Sequence, residues 1–171
     1  MYPLMIVLRL AHVVLGVYWA GTLFFVVTFL LPGVRDAGSE GERVILALQR
    51  RRYFETMPVV AALTIVSGLL LYWRVSNGFA MSWIRSGEGL SLTVGGFAAL
   101  MAFAIGVGVM RPVSLRAIQL AQSVKQLPEG AAGESRLAEI QALRMRAAAS
   151  VRWMAGLLAV VVATMAVARY V

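Results

Sequence analysis

Four long apolar runs separated by charged stretches set the pattern of this chain. The first covers residues 4–31, and Pro32-Gly33 is expected to end it. A run of about 20 apolar residues crosses a bilayer as a helix, so this one is long enough even when tilted. The second covers about 57–73, with Pro58 where a helix start tolerates proline. The third covers about 90–110 and is dense in small residues: Gly95, Gly96, Ala98, Ala99, Ala102, Ala104, Gly106 and Gly108. The fourth covers about 153–171, with a small-residue face of Ala155, Gly156, Ala159 and Ala163. Small residues at such spacings let helices approach closely in a membrane. A flat cofactor is the other occupant they would admit.

The connections carry patterns of their own. Between the first two runs, Ser39 and Glu42 match a capping box. They predict a short helix from about Glu40, with Val44, Ile45 and Leu48 as its apolar stripe and Arg50-Arg51-Arg52 at its end. Those arginines read as an anchor at anionic headgroups. Residues 75–89 are short, with a Ser76-Asn77-Gly78 turn signal, and Trp83 and Arg85 place the connection along the interface. Residues 111–152 form the longest connection, and Pro112 interrupts its start. Ala117, Leu120, Val124 and Leu127 mark one amphipathic helix, Leu137, Ile140, Leu143 and Ala147 a second, with a loop at 128–133. The expected fold is therefore all-α. It is a single domain over 1–171, an integral membrane four-helix bundle with a cytoplasmic helical hairpin extending helices three and four.

Composition agrees. The 171 residues are 60% hydrophobic with a mean hydropathy of +0.80, a membrane composition. The net charge of +8 sits in the connections, where the positive-inside rule accounts for it; nucleic acid is not an expected partner. Arg35, Arg43, Arg50, Arg51 and Arg52 lie in the first connection, and Arg111, Arg116, Lys125, Arg136, Arg144, Arg146 and Arg152 in the third. Only Arg74 and Arg85 lie in the second. The first and third connections are therefore expected in the cytoplasm and both termini in the periplasm of a bacterial inner membrane. No cysteine is present, which excludes disulfides and thiolate metal sites. The first run is too long for a signal peptide and reads as a retained membrane helix.

The candidate chemistry lies on the first run. Met5, Arg9, His12, Gly16, Trp19 and Leu23 share one helix face, and His12 is the only histidine. No run, as bounded above, contains Asp, Glu, Lys or Cys, so no side-chain catalytic constellation exists and any redox chemistry would be a cofactor's. His12 has two readings. One is a packed, hydrogen-bonded residue. The other is an axial metal ligand to haem b, with Arg9 and Arg169 receiving the propionates and a methionine available as sixth ligand. Copper is poorly served by one histidine, no cysteine and scattered methionines. Three classes of function follow: a haem-binding redox or porphyrin-handling protein, a non-catalytic accessory subunit of a larger membrane complex or homo-oligomer, and a copper or small-solute transporter. His12, Gly16 and Trp19 are expected to point into the bundle, because an imidazole facing hydrocarbon leaves polar groups unsatisfied. The Trp19 N–H then needs an internal partner, with Thr64, Ser67, Thr93 or a cofactor edge as candidates.

The spacing His12-x6-Trp19-x-Gly21 in a first helix ending at Pro32 resembles the first helix of CopD-like and HemJ-like bacterial membrane proteins. Arg51-Arg52-Tyr53-Phe54 before Pro58, and Ser67-Gly68-Leu69-Leu70-Leu71-Tyr72, resemble their second helix; Met165-Ala-Val-Ala-Arg169-Tyr170 resembles their last. The resemblance spans the chain and is closest to the uncharacterised four-helix relatives. It implies the four-helix membrane fold, and, from the HemJ-like group, an association of His12 with haem and porphyrinogen oxidation. This chain lacks an intramembrane lysine, since Lys125 lies in a connection. The copper handling implied by the CopD-like group maps onto no ligand set here.

Overall fold

The computed structural model of the chain describes residues 2–126 and 133–171, and they are helical almost throughout. Four helices are long and apolar enough to cross a membrane: Pro3–Asp36, Tyr53–Val75, Gly87–Val124 and Glu134–Tyr170. Only 22–33% of the residues in their most apolar windows are buried. The rest present leucine, valine and phenylalanine outward, as at Leu4, Val17, Phe29, Phe97 and Val162. Such a surface suits hydrocarbon, with the backbone polar groups satisfied inside each helix.

Prolines do not end these helices as expected. The first rod runs through α1 (Tyr2–Phe25), a π-helical turn (Val26–Leu30) and α2 (Leu31–Asp36), with Pro32 inside it. The Leu31 N–H bonds to the Val26 carbonyl, five residues back. The third rod repeats the device. There α6 (Gly87–Ile105) passes through a π turn (Gly106–Met110) into α7 (Arg111–Lys125), past Pro112, and the Arg111 N–H bonds to Gly106. A helical proline lacks a donor and crowds the carbonyl four residues earlier. A widened turn accommodates both defects and lets the helix continue.

The short helix α3 (Ser39–Arg50; α numbering follows the chain) begins with Gly38, at φ +54°, as its cap, one residue before the expected Ser39. Its Ile45 and Leu46 reach the core while Val44 stays exposed. Arg52, at φ +59°, turns the chain into α4 (Tyr53–Val75). That helix starts four residues before the apolar pattern predicts, because its first turn is polar. Pro58 is therefore interior, and the helix includes Glu55, which lies outside the apolar run. Ser76 is fully buried and its hydroxyl accepts the Phe79 N–H at 2.9 Å, holding a turn before α5 (Met81–Ile84).

The bundle is two helix pairs. α1 packs along α4, and α6 along the membrane part of α8 (Glu134–Val167). Between the pairs lies a core of Trp19, Leu23, Ala61, Ala102, Met154 and Leu158. α7 pairs with the first half of α8 to form the hairpin predicted between the third and fourth long helices. Arg116 and Glu139 bridge it at 2.6 Å, and Arg144 reaches Glu42 on α3 at 2.5 Å. The loop expected at 128–133 lies, except for Gly133, outside the described residues, as does Leu127.

Candidate functional site

His12 stands half-buried in the seam between α1 and α4. Its Nδ1 lies 2.9 Å from the backbone carbonyl of Thr64 and 3.4 Å from Ser67 Oγ. A carbonyl only accepts, so Nδ1 carries the hydrogen, and in the neutral ring the lone pair is on Nε2. Both hydrogen bonds of the imidazole fall on Nδ1. The ring rests on Gly68: a Cβ there would stand 2.7 Å from its Cε1 and 3.0 Å from Nδ1. One turn along α1, Gly16 faces Thr64, whose methyl would be 3.6 Å from an added Cβ. Thr64 and Ser67 bond back to their own helix, at Val60 and Leu63. Glycine under the ring and back-bonded hydroxyls around it allow the two helices to close on an imidazole without leaving polar atoms bare.

Trp19 is buried at 3% exposure two turns further on, but none of its expected partners receives its N–H. Thr64 donates to Val60, Ser67 to Leu63 and Thr64, and Thr93 pairs with Tyr72 while bonding to Gly89. Among the described residues the indole N–H has no hydrogen bond, and Trp19 instead lines a crevice with Met57 and Met154.

The arginines do not converge on His12. Arg9 is exposed, without an ion pair or side-chain hydrogen bond among the described residues. Arg169 is exposed at the last turn, its guanidinium 4.7 Å above the Tyr170 ring, and that turn packs on α6. Of the glycines on the third rod, Gly95 and Gly106 are packed against α8, whereas Gly96 and Gly108 have open space beside them. An added Cβ at Gly95 would meet Thr164 Oγ1 at 2.5 Å, and one at Gly106 would meet the Met154 methyl at 2.9 Å. Close helix packing occupies the space beside Gly95 and Gly106. His12 is thus placed to act as a ligand through Nε2, while Gly95 and Gly106 are taken up by α8 and the two arginines are exposed.

One participant escaped the sequence pattern: the Thr64 carbonyl carries no signal, since every residue has one. Away from His12, in the first turn of α4, Glu55 Oε2 is buried without a partner among the described residues. No group of three or more histidine, cysteine or acidic side chains able to hold a metal occurs among the described residues. No family model, curated protein or solved structure matches the chain.

Proposed function

We propose that this is an integral protein of the bacterial inner membrane in which His12 supplies one axial imidazole to haem b, in a redox or porphyrin-handling role. One observation carries the reading: the His12 Nδ1–H is committed to the Thr64 carbonyl, which leaves the Nε2 lone pair for a metal. Ligating histidines commonly donate their other N–H to a backbone carbonyl, which fixes tautomer and ring orientation. Haem, when bound, would supply the electron-transfer chemistry that no side chain here provides. Gly68 seats the imidazole and Ser67 flanks it. His12, on the α1–α4 seam, would hold the group. A visible spectrum of protein purified with haem tests this: a Soret band lost in His12→Ala supports it, and identical spectra of parent and variant refute it.

The charge distribution supports periplasmic termini and a cytoplasmic hairpin. Labelling of a cysteine at position 130 by a membrane-impermeant reagent from the periplasmic side would overturn that orientation.

The accessory-subunit reading is favoured by a different observation. Along α8, Ala142, Met145, Ala149, Arg152, Gly156, Ala159 and Ala163 recur at alternating spacings of three and four, and all are exposed. Of the small-residue face read on the fourth run, Gly156, Ala159 and Ala163 are exposed while Ala155 is buried. The row is the kind of face another helix packs against. Co-purification of a stoichiometric second membrane protein in mild detergent, lost in Ala159→Leu, tests it.

A further inference from the structure

Pro58 leaves the Phe54 carbonyl without its helical donor, and Arg111 from the adjoining rod supplies one, Nε to oxygen at 3.0 Å. This uses only one edge of the guanidinium. Among the described residues no acceptor meets its two terminal nitrogens, and no carboxylate pairs with it. Arg111 is half-buried where the third apolar run ends, so its charge is neither neutralised nor fully hydrated.

Immediately beside it is a crevice of about 20 Å³, open on one side and lined by Trp19, Phe54, Met57, Phe103, Val107 and Met154. No acid lines it. It lies between α4 and α6, which touch far less than the two closely packed pairs do, and Val107 on its wall is 39% exposed. The crevice therefore opens sideways, toward the region the bilayer occupies. It is narrow, roughly room for one small group. That excludes a rigid ring and suits the flexible end of a methylene chain.

We propose that this crevice binds an anionic phospholipid of the surrounding leaflet, with its phosphate on the terminal nitrogens of Arg111 and an acyl chain against Val107 and Phe103. The free edge of a guanidinium matches two phosphate oxygens, and basic pockets between membrane helices select anionic headgroups. Arg111 then serves two purposes at once: it closes the defect left by Pro58 and holds the headgroup.

Native mass spectrometry of the full chain in neutral detergent tests this, titrating phosphatidylglycerol against phosphatidylcholine with the same acyl chains. The parent chain is expected to prefer phosphatidylglycerol about five-fold, the effect of one well-placed cation. Arg111→Gln should abolish the preference. Arg111→Lys should retain most of it, which separates charge from the Phe54 hydrogen bond and from any loss of folding. Val107→Trp, which fills the opening, should weaken phosphatidylglycerol binding with Arg111 intact. Arg43→Gln, at an exposed arginine paired with Glu40, should change nothing. Equal binding of the two lipids by the parent, a preference surviving in Arg111→Gln, or full binding by Val107→Trp would overturn the proposal.

Discussion

The two close helix pairs use the same device with different donors. In the α1–α4 seam the His12 ring donates to the Thr64 carbonyl at 2.9 Å; in the α6–α8 seam the Ser91 hydroxyl donates to the Thr164 carbonyl at 2.8 Å. Each threonine returns its own hydroxyl to the carbonyl four residues back, Thr64 to Val60 and Thr164 to Val160, both at 2.9 Å. Each seam sets a glycine under the contact, Gly68 beneath His12 and Gly95 beneath Thr164. The difference lies in what remains. A hydroxyl that has donated its one hydrogen has no proton left to give and is a poor ligand for a metal. An imidazole that has donated through Nδ1 still presents Nε2. The same packing solution is purely structural in one seam and leaves a chemical group in the other.

Enlarging the glycines should have the largest effects. Gly68→Leu drives a side chain into the His12 ring, and Gly95→Leu drives one into Thr164; each should cost about 1–3 kcal/mol in reversible unfolding from detergent micelles. Only Gly68→Leu should also remove haem absorbance. Equal loss of absorbance in both variants would mean that the seams are not functionally distinct.

His12→Ala separates chemistry from packing more finely. It removes the interhelical hydrogen bonds to the Thr64 carbonyl and Ser67 Oγ, worth about 0.6 kcal/mol each in a membrane setting, plus part of a ring contact, so the fold should survive while haem binding disappears. A variant that unfolds would make His12 a structural residue first. Ser91→Ala is the matched change in the other seam, with a loss of about 0.6 kcal/mol and an unchanged spectrum. The smallest effect is expected for Gly16→Ala, whose new methyl meets Thr64 at an ordinary 3.6 Å; a melting temperature displaced by more than a few degrees would show the α1–α4 seam to be tighter at that turn than the geometry implies.

The candidate site was only partly legible. His12, Gly16 and Trp19 stood out because a polar, a small and an aromatic residue recur on one face of an apolar helix, and all three do face the bundle. Arg9 was grouped with them by helix face and Arg169 by depth. Depth along a helix does not fix direction around it, and both side chains are exposed and held apart from His12. Likewise, small residues on α6 and α8 marked contact surfaces without saying which would meet. Gly95 and Gly106 face α8, whereas Gly156 faces outward.

What the sequence determined by itself is what near neighbours in the chain decide. Apolar run length makes four membrane-competent helices, amphipathic spacing extends two of them into a hairpin, and the absence of cysteine and of a second histidine narrows the chemistry. Only the tertiary structure decided the rest. It assigned the hydrogen on His12, whose acceptor is 52 residues away, and gave the carbonyl freed by Pro58 its donor in Arg111, 57 residues from Phe54. It also carried two helices through prolines that local rules would treat as stops. Each of these outcomes depends on which polar group is left unsatisfied once the helices have packed, and that is a property of the assembled bundle.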